Sequence, residues 1–121
     1  MRPTWPEYFF ELASVTSKRA TCPRLSVGCV LVKGNRVLSQ GYNGALKNCP
    51  QCDEVGCKMV EGHCVRSVHA ETNAIAQAAR HGISVEGADA YLTHQPCHRC
   101  ELLLRASGIM LIHWQQEYVN R

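Results

Sequence analysis

Apolar side chains at Tyr8, Phe9, Leu12, Ala13 and Val15 recur with helical spacing across residues 5–18. Pro6 falls in the first turn of that stretch, where its missing N–H costs nothing, so the pattern predicts a first helix. The next two runs, SVGCVLVK at 26–33 and RVLSQGY at 36–42, are rich in strand-forming residues and separated by Gly34-Asn35, which predicts a β-hairpin with a two-residue turn. From 41 to 68 periodicity is lost among Gly, Asn, Pro and Cys, and the stretch is expected to be a long ordered loop, kept for function or pinned by a metal. Alanine-rich AETNAIAQAARHG at 70–82 predicts a helix closed by Gly82. DAYLTH at 89–94 predicts a strand, CHRCELLLRASG at 97–108 a helix ending at Gly108, and IMLIHW at 109–114 a further strand. Strands alternating with helices over 121 residues imply one α/β domain, residues 1–121, with helices layered on a sheet.

Composition narrows the function classes. An apolar fraction of 45% with 19% charged residues fits a folded soluble protein. The net charge of +3 is mild, no basic run stands out and aromatics are 7%, which argues against a nucleic-acid binder and leaves room for anionic small molecules. No stretch approaches the roughly 20 apolar residues of a membrane span, and MRPTWPEYFF does not resemble a secretion signal, so a cytoplasmic location is expected. Eight cysteines in a reducing compartment are better explained by metal than by disulfides.

The chemistry concentrates in two short stretches, His69-Ala70-Glu71 and Pro96-Cys97-His98-Arg99-Cys100. A catalytic zinc needs three protein ligands and an open fourth position, and His69, Cys97 and Cys100 supply one nitrogen and two thiolates. Cys97 and Cys100 are three apart in the first turn of a helix, so both sulfurs can face one point. Glu71 is near enough to exchange a proton with a water that such a zinc acidifies, without being a ligand. The pairing of His-x-Glu with Pro-Cys-x-x-Cys is the general signature of zinc nucleobase deaminases. A purely structural zinc knuckle would leave Glu71 unexplained.

These motifs, with the flanking SVGCVLV, GYNG at 41–44, HCVRSVHAETNAI and EGADAYLTHQPCHRC, resemble the deoxycytidylate (dCMP) deaminase family over nearly the whole chain. The resemblance implies a three-layer α/β/α sandwich with a mixed five-stranded sheet. It implies hydrolysis of dCMP to dUMP and ammonia, feeding thymidylate nucleotide synthesis, with Glu71 moving protons to N3 and then to the leaving amino group. It places Asn43 beside the deoxyribose, Arg24 near the phosphate, the backbone of Ala70 at the pyrimidine edge and Tyr118 over the nucleotide. It also implies a homo-oligomer, a hexamer in many members, and regulation by dCTP and dTTP with Mg²⁺ accompanying the triphosphate. Deoxycytidine or dCTP as substrate is the near alternative. A nucleic-acid deaminase and a non-catalytic zinc module are the remoter ones.

The other cysteines divide. Cys29, inside VGCVLV, reads as a buried core residue. Cys22, Cys49, Cys52, Cys57 and Cys64, with His63, gather around the long loop and form a pool of candidates for a second, structural zinc; Cys49-Pro50-Gln51-Cys52 has knuckle spacing. The resemblance favours Cys22 and Cys52 within that pool. His81, His98 and His113 read as helix-end, exposed-helix and strand residues, and His94 as a possible pocket-lining residue.

Overall fold

A computed structural model describes residues 1–119. Helix α1 (Trp5–Ser17) begins with a reciprocal cap: Thr4 Oγ1 accepts the Glu7 N–H at 3.3 Å and Glu7 Oε1 accepts the Thr4 N–H at 2.8 Å. Strands β1 (Gly28–Lys33) and β2 (Arg36–Tyr42) form the expected hairpin. Gly34 (φ 57°) and Asn35 (φ 60°) supply the consecutive left-handed conformations that its two-residue turn requires.

The segment after β2 is more structured than its composition suggests. It contains the one-turn helix α2 (Cys52–Val55) and a separate ribbon of β3 (Met59–Val60) and β4 (His63–Cys64). Then follow α3 (Ala70–Arg80), β5 (Asp89–His94), α4 (His98–Ala106) and β6 (Leu111–Gln116). The last strand starts at Leu111, two residues later than expected: the Ile109 N–H still donates to the Leu104 carbonyl at 3.1 Å, closing the end of α4.

The main sheet has the order β2-β1-β5-β6, antiparallel except for the parallel β5–β6 pair. The expectation of a mixed sheet holds, but among the described residues it has four strands, not five. The extra ribbon in the loop pairs only with itself, and residues 117–119 form no strand.

Alternation along the central strands creates the three layers. Cys29, Leu31, Ala90 and Leu92 point into a core shared with Ala70, Ala74 and Ala78 of α3 and Leu104 of α4. Val30, Val32 and Tyr91 point the other way, onto Phe9 and Ala13 of α1. A strand buried on both faces reads as a continuous apolar run, which is what SVGCVLV is.

Small residues let α3 lie close to β2, and this fixes the height of that helix over the sheet. A Cβ added at Gly41 would overlap the Ala70 carbonyl oxygen and the Ala74 amide nitrogen. Gly41→Ala is therefore expected to destabilise the fold by about 1–3 kcal/mol, the usual cost of overpacking, seen as a drop of several degrees in calorimetric Tm. An unchanged Tm would mean that α3 can lift from the sheet at no cost.

Candidate active site

His69 is the N-cap of α3 (φ −64°, ψ 151°) and Cys97 the N-cap of α4 (φ −67°, ψ 165°), and neither side chain caps its own helix. The two side chains instead converge on Cys100, in the first turn of α4. His69 Nδ1 lies 3.4 Å from Cys100 Sγ and 3.6 Å from Cys97 Sγ. Tetrahedral zinc with ordinary bond lengths separates a nitrogen and a sulfur ligand by about 3.5 Å, so the donor set fits that ion. Both helices also direct the positive ends of their dipoles here, which favours thiolate and carboxylate.

Glu71, in the first turn of α3, is fully buried. Burial, and then the nearby charges of Glu71 and Cys97, hold the Cys100 thiol well above its ordinary range. A bare site therefore keeps its proton, and a bound cation has to displace it. Thr72 Oγ1 is 4.0 Å from Cys100 Sγ, a partner that the sequence reading did not single out.

A second group of sulfurs lies in the loop. Cys22, Cys52, Cys57 and Cys64 bring their sulfur atoms within 4.8 Å of one another. Cys22–Cys57 and Cys52–Cys64 are 3.7 and 3.6 Å apart, far beyond a disulfide bond and close to the roughly 3.8 Å between two sulfurs on one tetrahedral zinc. Burial, with the neighbouring thiols of Cys64 and Cys57, pushes Cys52 up to about 12. Burial acts the same way on Cys64, but backbone N–H groups of Ser67, Arg66 and Lys58 outweigh it and bring that thiol down to about 6.

Two members of the candidate pool are corrected here. Cys49 and His63 are exposed and stand outside the group. His63 adjoins Cys64 in β4, and successive strand residues face opposite sides. Knuckle spacing at Cys49 and Cys52 was a misleading cue, because only Cys52 turns inward on α2.

The profile described as the cytidine and deoxycytidylate deaminase zinc-binding region matches residues 3–115. The chain belongs to this family. It is 38% identical over 117 residues to ComE operon protein 2 of Bacillus subtilis, which covers 97% of this chain and 62% of that protein. It is also 38% identical to the deoxycytidylate deaminase of Mycobacterium phage D29, over 96% of this chain and 98% of the phage protein. The fold superposes on the dCMP deaminase of cyanophage S-TIM5, crystallised with dCMP and dUMP, with a TM-score of 0.85 at 28% identity, over 98% of this chain and 85% of the other. The chain thus spans less than two thirds of the Bacillus relative and nearly all of the Mycobacterium phage one.

The substrate candidates fall around His69, Cys97 and Cys100 in different ways. Ala70 is buried at the start of α3, between His69 and Glu71. Asn43 is buried and spans the segment before β1: its Oδ1 accepts the Val27 N–H at 2.8 Å and its Nδ2 donates to the Leu25 carbonyl at 2.6 Å. It also lines a small cavity with Arg24, Ser67 and His69. Exposed Arg24 donates from Nη1 to the Met59 thioether at 3.2 Å, a weak partner for a guanidinium. Tyr118 lines a separate opening with Cys97, His98 and Glu101.

Ser67 was missed by the sequence reading. Its Oγ is buried with no hydrogen-bond partner in the structure and it lines the same cavity as His69. Among the remaining histidines, His81 and His98 are exposed, and His113 Nε2 lies 3.3 Å from Asp89 Oδ2. His94 is buried with Nδ1 2.8 Å from Thr93 Oγ1.

Proposed function

We propose that this chain is a zinc-dependent hydrolase that converts dCMP to dUMP and ammonia. The observation that carries the reading is the convergence of His69 Nδ1, Cys97 Sγ and Cys100 Sγ at zinc-ligand separations, with the carboxylate of Glu71 buried in the same helix turn. The dCMP- and dUMP-bound cyanophage enzyme, which shares the fold over 98% of this chain, supports the nucleotide as substrate.

Zinc bound by His69, Cys97 and Cys100 supplies Lewis acidity that makes a water molecule a nucleophile near neutral pH. Glu71 does the proton work: it takes a proton from the attacking water and delivers it to N3 of the cytosine as C4 is attacked. It then takes the remaining proton of the new C4 hydroxyl and passes it to the amino group, which leaves as ammonia as the C4 carbonyl forms. Its burial keeps bulk water from competing for these protons. The backbone of Ala70 meets the pyrimidine edge, Asn43 and Ser67 face the sugar, and Arg24, exposed and set against the Met59 thioether, reaches to the phosphate. Tyr118 closes the opposite side.

Cys22, Cys52, Cys57 and Cys64 hold a second, structural zinc in the same proposal, supported by their sulfur spacing. A cavity of about 480 Å³, lined by Arg19, Tyr42, Lys47 and Asn48 among others, has the cationic side chains that support a regulatory dCTP or dTTP with Mg²⁺. Exposed apolar Met110 and Leu111, at the start of the edge strand β6, support assembly into a homo-oligomer, a hexamer by family precedent. Eight free thiols suit the reducing cytoplasm. Among the described residues, no helix is long and apolar enough to cross a membrane.

The experiment that tests the activity is direct conversion of dCMP to dUMP by the zinc-loaded chain. Formation of dUMP supports the reading, and its absence overturns it.

A further inference from the structure

We propose that Gln95 is a positioning residue that latches the chain after β6 so that Tyr118 stands at the opening beside Cys97. The inference rests on the reading above that Tyr118 closes one side of a cytosine-nucleotide site.

Gln95 lies between the end of β5 and Pro96-Cys97, where the sheet must hand over from strand to zinc ligand. Its backbone N–H donates to the Gln116 carbonyl at 2.7 Å, one rung past the end of the parallel β5–β6 ladder. In a regular parallel ladder a residue that donates to one carbonyl accepts, through its own backbone carbonyl, from the N–H two residues further along the partner. That N–H belongs to Tyr118. It donates instead to the side-chain oxygen of Gln95, at 3.1 Å.

The substitution has a physical reason. Pro96 has no N–H with which to carry the ladder further, and it restricts the conformation of the residue before it. The backbone is turning toward Cys97 at this point, and the longer side chain reaches across to the partner segment. One residue therefore holds both the approach to a zinc ligand and the approach to Tyr118. Gln95, Cys97 and Tyr118 line the same opening, whose volume of about 440 Å³ is in the range of small-molecule sites. Tyr118 is 44% exposed, so its packing alone does not fix it.

The test uses the full chain, zinc-loaded, with two variants. Gln95→Met keeps the length of the side chain and removes the strong acceptor; Gln95→Glu keeps an acceptor oxygen at the same reach. Amide hydrogen exchange at Tyr118 reads the latch itself, and KM and kcat on dCMP read its consequence. Gln95→Met should speed Tyr118 exchange and raise KM, each roughly two- to tenfold, the range for loss of one neutral hydrogen bond. The kcat should stay within about twofold, since no group that handles protons is changed. In Gln95→Glu, Tyr118 exchange should stay slow.

Unchanged Tyr118 exchange in Gln95→Met, or equal acceleration in both variants, would overturn the latch. Faster exchange with an unchanged KM would overturn its role in positioning Tyr118 for substrate. If the unaltered chain fails to convert dCMP, the functional reading fails, and the exchange measurement still decides whether the latch exists.

Discussion

Replacing Glu71 with Gln is expected to lower kcat on dCMP by about a thousandfold while leaving the zinc content unchanged. Positioned acid–base groups contribute about 10²- to 10⁴-fold, and Glu71 is assigned every proton transfer in the reaction. Glutamine preserves shape and volume in a site where the side chain is fully buried, so packing is kept while the ability to accept a proton is lost. Because shape and volume are kept, the metal-free variant should be as stable as the metal-free parent, which separates a catalytic residue from a structural one. Loss of zinc in Glu71→Gln would make Glu71 a ligand, and a kcat within tenfold of the parent would remove it from the chemistry.

The second large effect is expected in the loop. Cys52→Ser combined with Cys64→Ser should reduce bound zinc from two ions per chain to one, make residues 45–68 readily cleaved by protease, and lower Tm by roughly 10 °C. The buried residues of that segment are cysteines: Cys52 and Cys64 pack with Cys22 and, partly, Cys57. A four-residue helix and two strands of two residues have too little cooperative structure to persist alone. Metal bonds are the available substitute for a hydrophobic core. The damage should reach catalysis, because Cys64 receives backbone N–H groups of Arg66 and Ser67 immediately ahead of His69. We expect kcat/KM to fall about tenfold or more. A parent protein that binds a single zinc, or a double variant with an unaltered protease pattern, would contradict this account.

Much of the architecture was legible because the central strands are buried on both sides. SVGCVLV could only be an interior strand, and Gly34-Asn35 only a tight turn, whereas the alanines of 70–82 gave a helix able to approach a sheet closely. The convergence of His69, Cys97 and Cys100 was equally legible, since all three sit at helix starts that local sequence defines. The loop was not. Its order comes from contacts between Cys22 and residues some 30 to 42 positions away, which no local periodicity encodes, and Cys49 offered a false partner by spacing alone. The fifth strand was an implication of the family resemblance, whereas the residue pattern itself named the four strands that make up the main sheet among the described residues. Ser67 and Gln95 were invisible because their roles depend on a buried hydroxyl and on one hydrogen bond across the sheet.

The most direct test of the central claim is to give the zinc-loaded chain dCMP, deoxycytidine, dCTP and a cytosine-containing oligonucleotide in parallel and measure the uracil products and ammonia. The account predicts rapid, stoichiometric formation of dUMP and ammonia from dCMP, with deoxycytidine much slower because it lacks the phosphate assigned to Arg24. Equal turnover of deoxycytidine, preference for the oligonucleotide, or no product from dCMP even with dCTP and Mg²⁺ present would contradict it.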